Sequence, residues 1–273
     1  MGDLAVDTAV EGSDGRYRAY LSPAWEVWGP NGGYVAAIAL RAAAAAASFR
    51  RPASFACHYL SVAEFDAVDL AVTPLRTARR AVSLRVSMTQ RGRPILEAFA
   101  WFIGEVEGLA HDAARMPALP GPDGLPPIED LLPPEERATF PFWQNLDVRP
   151  TRFVPPKERK ADAPVLQSWH RFRPRATFDD PVVDAARMLV LIDTMQWPAA
   201  FRAYDDPPYV APNIDLAVQF HRLAPAVEWL LCDAISPVAA DGLVGGRAAV
   251  WSPAGRLLAS GAGQLLCRPA PAG

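Results

Sequence analysis

Two stretches of the chain are apolar on nearly every side of a helix, and they restrict the possible folds more than any other feature. The first, residues 35–43, is dominated by Ala and Leu and follows a loop rich in Gly and Pro. The second, residues 188–197, is almost wholly apolar around one carboxylate, Asp193. A helix that is apolar all round must be covered on every side. Each stretch therefore predicts a central helix enclosed by a sheet.

The caps and flanks of these two stretches support their assignment as helices. Asn31 stands directly before the first and is a good N-cap. Asp179-Asp180-Pro181 precedes the second, with Asp as N-cap and Pro in the first turn. We expect this second helix to run through Asp193 to about Trp197, where Pro198 bends or ends it.

Around the first helix the chain reads as strands. Ala81–Thr89 alternates apolar and polar residues, which is typical of a half-buried antiparallel strand, and a Gln90–Arg93 turn leads into its partner. The first half therefore predicts the order strand, helix, four strands, with a strand followed by a bend over residues 17–28 and strands near 55–60, 67–73, 81–89 and 95–103.

The second half repeats that order. Its final hairpin turn, Pro253–Arg256, lies where Gln90–Arg93 lies in the first half, and both turns carry Gly-Arg. The strands are predicted at residues 168–175, 214–222, 227–235, 244–252 and 257–268.

One apolar helix wrapped by an antiparallel sheet is the hotdog fold. The chain is therefore predicted to be an α+β double hotdog, with two antiparallel sheets each wrapped around a central apolar helix. We expect an N-terminal hotdog at residues 1–106, a linker at 107–165 and a C-terminal hotdog at 166–273. The linker holds twelve prolines, which excludes long regular structure, and a short helix is expected there near Glu129–Thr139.

Composition excludes several classes of function. A net charge of −3 over 273 residues gives no basic excess for nucleic acid or a membrane surface. The longest apolar run, 13 residues at 35–47, is too short to span a bilayer, and the first residues carry acids rather than a signal sequence. Three scattered cysteines favour a reducing compartment, and none of the four histidines has metal-ligand spacing. We expect a cytoplasmic protein without metal or cofactor.

Several segments, taken in order, resemble the double-hotdog thioesterases of the acyl-CoA thioesterase II type, in their broader thioesterase-like branch. The similarity covers most of residues 20–105 and 165–269. It rests on Trp28-Gly-Pro-Asn-Gly-Gly-Tyr-Val, on Asp193, on the strand Asn213–Arg222 that ends Phe-His-Arg, and on the last strand, Leu257–Arg268.

The resemblance implies a set of catalytic residues. In that family an Asp, a Thr or Ser, and a Gln of the second half activate the water that attacks the thioester. Asp193 matches the Asp, Asn213 stands in place of the Thr or Ser, and Gln264 most nearly matches the Gln. Gln264 lies one residue late, which would turn it to the other strand face unless a bulge at Gly261 or Gly263 restores it.

The chemistry of the residues agrees with this assignment but leaves alternatives open. A carboxylate in apolar surroundings has a raised pKa suited to a general base, or it simply binds a nearby backbone turn. The oxyanion is expected to bind at the loop and helix start formed by Asn31, Gly32 and Gly33, or at an equivalent turn of the partner half.

The implied function is hydrolysis of an acyl-CoA in lipid metabolism. The alternatives are a non-catalytic protein that binds acyl groups or acyl-CoA, and a hotdog hydratase or dehydratase, which needs an Asp and a His close together. A homodimer is expected, and the phosphates of CoA would be met by Arg79, Arg80 or Arg222.

Overall fold

The computed structural model of the chain describes residues 1–133, 140–205 and 207–270. The first half contains α1 (Leu4–Asp7), β1 (Glu11–Ser13), β2 (Arg16–Tyr20), α2 (Gly32–Ala46), β3 (Arg51–Tyr59), β4 (Ala67–Thr77), β5 (Ala81–Gln90) and β6 (Arg93–Ile103). The remainder contains α3 (Ile128–Leu131), β7 (Leu146–Pro150), β8 (Val165–Phe172), α4 (Pro181–Thr194), α5 (Gln196–Phe201), β9 (Tyr209–Val210), β10 (Asp215–Phe220), β11 (Leu230–Ala240), β12 (Leu243–Trp251), β13 (Leu257–Leu266) and β14 (Arg268–Pro269).

The sheets of the two halves are joined edge to edge into one sheet of twelve strands. Its order is β1-β2-β4-β5-β6-β3-β10-β13-β12-β11-β8-β7, and β9 and β14 form a separate pair. The joint is the antiparallel pair β3–β10, in which Ala56 lies opposite Ala217. The double hotdog is thus confirmed, and the pairing of the two halves leaves neither β3 nor β10 as an open edge.

The two apolar helices, α2 and α4, lie antiparallel against each other inside the curved sheet. Gly33, at the start of α2, abuts Val190, near the end of α4, so closely that a Cβ on Gly33 would lie 2.8 Å from the Val190 Cα. At the opposite ends, Arg50 just beyond α2 pairs with Asp180, the N-cap of α4, at 3.0 Å. The start of each helix therefore meets the end of the other.

Both predicted N-caps are confirmed. Asn31 accepts a hydrogen bond from the Tyr34 backbone N–H at 2.9 Å, and Asp180 accepts one from Val182 at 2.8 Å. The predicted end of the second helix is wrong, because α4 stops at Thr194 and Pro198 lies inside the following helix, α5. Proline is tolerated there because the N–H groups of a first turn have no partner within their helix.

The proline-rich segment is more ordered than expected. It contributes β7, which pairs with β8 and which the sequence did not predict. Its earlier part lies on the second half's Trp169, Trp229 and Trp251, and the Trp169 indole donates to the Pro120 carbonyl at 2.9 Å. The predicted short helix is present only as α3, and residues 134–139 of that prediction lie outside the described residues.

The predicted strands are all present. In the stretch predicted over residues 17–28 the strand occupies only Arg16–Tyr20, and the ends of the other strands shift by up to five residues. The division at residues 106 and 166 stays a prediction, although β7 adds residues before 166 to the second half's side of the sheet. None of the described helices is long and apolar enough to cross a membrane.

Candidate active site

Asp193 lies in the last turn of α4, where the residue is 6% exposed and its carboxylate has two side-chain donors. Its Oδ1 accepts a hydrogen bond from the Tyr59 hydroxyl at 2.8 Å and another from the Asn213 Nδ2 at 2.7 Å. The same Asn213 amide also donates to the Asp193 backbone carbonyl at 3.1 Å. The structure therefore brings Asp193 and Asn213 together, as expected, and adds Tyr59 from the first half.

The start of α2 closes on this carboxylate from the other side. The Gly33 backbone N–H donates to Asp193. A Cβ on Gly32 would lie 3.0 Å from the Asp193 Oδ2, so a larger residue at this position would require the carboxylate to shift away from the helix start. The positive end of the α2 dipole faces the negative charge, which is a favourable arrangement.

Burial and hydrogen bonding act on Asp193 in opposite directions. Loss of water raises the pKa of Asp193 to about 6, while the bonds from Tyr59, Asn213 and Gly33 hold the pKa down. The carboxylate is consequently mostly ionised at neutral pH, yet basic enough to accept a proton. Such a balance suits a general base.

Tyr59 is the site residue that the sequence did not reveal. It lies at the end of β3 and shares an inward face with Phe55 and Cys57. Burial first, and then the charge of Asp193, raise the pKa of Tyr59 well above its ordinary value. The phenol therefore stays protonated and acts as a donor. The two-residue period from Phe55 would have placed Tyr59 inward, but not beside Asp193.

Asn31 holds a second polar group at the site. Its Oδ1 caps α2, and its Nδ2 donates to the Thr194 Oγ1 at 3.0 Å. Thr194 follows Asp193 directly, and both line the same cavity. The predicted oxyanion residues thus lie at the site, but the Asn31 amide and the Gly33 N–H are already engaged by the second half.

Gln264 does not reach Asp193. On β13, Gly261 and Gly263 face α4 and α5, because side chains there would contact Ile192 and Gln196. Successive strand residues alternate, so Gln264 faces the opposite side of the sheet. Residues 259–266 pair continuously with β12, so the bulge at Gly261 or Gly263 that would have restored Gln264 to the inner face is absent from this pairing. The assignment of Gln264 as a water ligand is therefore corrected.

Gln196 fills the space on the inner face of the sheet next to Gly263. Gly246 and Gly263 are paired across β12 and β13, and together they form a notch that Gln196 fills. Its Nε2 donates to the Ile192 carbonyl at 2.9 Å, while its buried Oε1 has no partner among the described residues. Gln196 is fully buried and does not line the cavity at Asp193.

A cavity of about 580 Å³ opens in front of Asp193 and is lined by both halves of the chain. The Trp28 and Trp197 rings meet edge to face with centroids 6.5 Å apart, one from each half. Walls of this kind suit an apolar acyl group held by a few polar contacts. The aromatic residues of the lining, besides Tyr59, are Trp28, Phe140, Trp143, Trp197 and Phe201.

Three arginines, Arg159, Arg202 and Arg268, also line the cavity. Arg202 lies 3.3 Å from Asp162, whereas Arg159 and Arg268 have no carboxylate partner in the described ranges. None of the described residues that line the cavity is a histidine. Nor do the described residues bring three or more His, Cys, Asp or Glu together as a metal site.

Comparison with known families identifies both halves of the chain. Residues 21–103 match the family model described as the acyl-CoA thioesterase N-terminal domain, and residues 117–266 match its C-terminal domain. The chain belongs to the acyl-CoA thioesterase family. The family resemblance inferred from the sequence is thereby confirmed. The match of the C-terminal domain begins within the proline-rich segment, where β7 adds to the second half.

Solved structures of similar proteins share the complete double hotdog. The acyl-CoA thioesterase II TesB2 of Mycobacterium marinum is 24% identical, with 98% of this chain and 99% of that chain covered and a TM-score of 0.79. The tesB protein of Mycobacterium avium subspecies paratuberculosis is 22% identical, with coverage of 97% and 98% and a TM-score of 0.80. A hotdog protein of unknown function from Alicyclobacillus acidocaldarius is 23% identical, with coverage of 98% and 98% and a TM-score of 0.81. At these identities the similarity establishes the fold alone.

Proposed function

We propose that this member of the acyl-CoA thioesterase family hydrolyses acyl-CoA thioesters with Asp193 as general base. The observation that carries the proposal is a buried carboxylate, with a pKa raised to about 6, at the wall of an apolar cavity. A pKa near the working pH is what general-base catalysis needs. The alternative structural role, in which Asp193 merely binds a backbone turn, does not account for the cavity in front of it.

The reaction needs no covalent intermediate with the protein. A water molecule beside Asp193 attacks the thioester carbonyl carbon and gives its proton to the carboxylate. When the tetrahedral intermediate collapses, the carbon–sulfur bond breaks, and Asp193 transfers that proton to the departing thiolate. The products are the free acid and the thiol of CoA, and Asp193 is again ionised.

Asn213 acts on the base rather than in place of a hydroxyl. Its amide donates to Asp193 Oδ1 at 2.7 Å, next to the Tyr59 hydroxyl, so two donors fix the orientation of the carboxylate. The remaining lone pairs of Asp193 are left for Gly33 and for water. This arrangement supports a role for Asn213 in aiming Asp193.

The CoA part of the substrate is expected to bind to arginines that line the cavity. Arg159 and Arg268 offer guanidinium groups suited to phosphate oxygens. The residues expected from the sequence do not line this cavity, and Arg222 instead lies 3.0 Å from Asp112. We therefore assign Arg159 and Arg268, rather than Arg79, Arg80 or Arg222, to the phosphates of CoA.

The two alternative functions make different demands. A hotdog hydratase or dehydratase needs a His close to the Asp, and the cavity lining contributed by the described residues contains no histidine. A non-catalytic binder would keep the cavity without using the base. The choice between binding and hydrolysis is made by measuring turnover.

The decisive experiment measures free thiol release from acetyl-, hexanoyl-, dodecanoyl- and benzoyl-CoA. We expect turnover of at least one substrate, lowered about 10²- to 10⁴-fold in Asp193→Asn, the usual contribution of a general base. Circular dichroism and thermal unfolding verify that the variant is folded. Binding of these substrates without turnover by the wild type would favour the non-catalytic protein, and full activity in Asp193→Asn would refute the assigned base.

A further inference from the structure

Most of the groups expected to donate hydrogen bonds to the thioester carbonyl oxygen already donate to other atoms of the protein. Developing negative charge on that oxygen must be met by preorganised donors, and these are usually a large part of catalysis. Of the three residues expected to supply them, Gly33 donates its N–H to Asp193, and Asn31 uses its amide on Thr194. Gly32 alone keeps a backbone N–H without an acceptor in the described part of the chain. A second donor is needed.

Among the described residues, none accepts a hydrogen bond from the Thr194 hydroxyl. The Thr194 Oγ1 accepts from the Asn31 Nδ2 at 3.0 Å, and accepting that bond leaves the hydroxyl's own proton free to donate. A threonine in a helix commonly donates to the carbonyl four residues earlier. Thr8 of this chain makes that bond to Leu4, whereas Thr194 makes no such bond to Val190 within the described residues.

Thr194 lies at the wall of the cavity in which the acyl group is proposed to bind. It is the last residue of α4, it is only half-buried, and it lines the same cavity as its neighbour Asp193. Gly32, with its free N–H, lines the cavity from the other half. A backbone N–H and a side-chain hydroxyl from opposite halves thus lie around one cavity, beside the base.

We propose that the Thr194 hydroxyl is a catalytic oxyanion donor, aimed by the bond from Asn31, and that Gly32 N–H is its companion. The inference rests on the proposed thioester hydrolysis. As water attacks, the carbonyl π electrons move onto the oxygen, which receives hydrogen bonds from Thr194 and Gly32 but no proton. The water proton goes to Asp193 and then to the departing sulfur, so Thr194 is unchanged at the end.

The first test replaces the hydroxyl without changing the shape of the side chain. With an acyl-CoA that the wild type hydrolyses, Thr194→Val is expected to lose about 10²- to 10³-fold in kcat with little change in KM, as for removal of one oxyanion donor. Thr194→Ser, which keeps the hydroxyl, should retain most of the rate. Thr73→Val, at an exposed strand position outside the cavity, is the matched control.

Binding of S-hexyl-CoA, a thioether that has no carbonyl oxygen, separates catalysis from packing. Its Kd should be the same for wild type and Thr194→Val if the hydroxyl meets only the oxyanion. A Kd that rises in parallel with the loss of rate would indicate a structural role and overturn the proposal.

The second test removes the group that aims Thr194. Asn31→Ser keeps an acceptor for the α2 cap but removes the amide donor, so kcat should fall. Because both changes disable one donor, the double variant Asn31→Ser/Thr194→Val should be no slower than Thr194→Val alone. Additive losses would contradict the aiming role. An unchanged kcat in Thr194→Val would overturn the proposal while leaving the hydrolase intact, and an inactive wild type would overturn both.

Discussion

At the scale of single residues, burial and hydrogen bonding have opposite effects on the pKa of Asp193. Burial raises the pKa of Asp193, the hydrogen bonds from Tyr59, Asn213 and Gly33 lower it, and the resulting pKa is about 6. The folded protein therefore binds a proton at this carboxylate more tightly than the unfolded chain does. A base with these properties costs the fold some stability, as is common for catalytic groups.

Replacing Asp193 by Asn should stabilise the protein above neutral pH. A pKa raised from 3.8 to about 6 corresponds to a penalty of at most about 3 kcal/mol, absent below pH 4 and complete above pH 6. Urea unfolding at pH 8 should therefore show Asp193→Asn as the more stable form, with an advantage that shrinks as the pH falls toward 4. If the variant were less stable than the wild type at pH 8, the hydrogen bonds to the ionised Asp193 carboxylate would outweigh the cost of burying it, and the prediction would be wrong.

Removing the Tyr59 hydroxyl should shift the pH dependence of the enzyme. Tyr59→Phe takes away a bond that lowers the pKa of Asp193, so that pKa rises and the base is protonated over a wider range. The acidic limb of kcat/KM against pH should move to higher pH, with partial recovery of the rate on the alkaline side. An acidic limb that stays where the wild type has it would show that Tyr59 does not act through Asp193.

At the scale of elements, the decisive contact is the close approach of α2 to α4. Gly33 permits it, because a Cβ there would lie 2.8 Å from the Val190 Cα and 3.0 Å from the Asp193 Cβ. The same approach puts the Gly33 N–H on the carboxylate. Helix packing and catalytic geometry thus depend on one residue without a side chain.

Gly33→Ala should consequently impair stability and activity together. The added methyl group has to push the two helices apart, which by analogy with overpacked cores costs about 1–3 kcal/mol. The midpoint of urea unfolding should fall, and the Asp193-dependent rate should fall with it. Gly108→Ala, at a position with no atom within 4 Å of the added Cβ, is the control that should leave both unchanged.

At the scale of the whole molecule, the site exists only where the two halves meet. The first half supplies Gly33 and Tyr59, and the second supplies Asp193 and Asn213, held together by the β3–β10 joint. The aromatic residues Phe99 and Trp101 remain partly exposed on the outer face of the sheet. A homodimer stays a prediction.

Neither half should be an enzyme by itself. Residues 107–273 alone would lack Tyr59 and Gly33 and would expose the β10 edge and the apolar side of α4, so we expect aggregation and no thioester hydrolysis. Co-expression of 1–106 with 107–273 should restore a soluble pair with measurable thiol release. Wild-type turnover by 107–273 alone would contradict a site shared between the halves.

The local pattern of the chain was enough to predict the fold class and one site residue. All-round apolar helices, alternating strands and the two N-caps follow from neighbours a few residues apart, and so does the anomaly of a carboxylate at Asp193. The sheet face on which Gln264 lies depends on whether β13 has a bulge at Gly261 or Gly263. The sequence allowed both possibilities, and the continuous pairing of β13 with β12 decided between them.

The partners of Asp193 follow from no local pattern. Tyr59 lies 134 positions away in the sequence, and Asn31 lies 163 positions from Thr194. Such contacts are set by the pairing of β3 with β10 and by the approach of α2 to α4, which bring groups from both halves to one cavity. Periodicity assigns a side chain to a face of its own element, and the packing of elements then determines which distant side chain it meets.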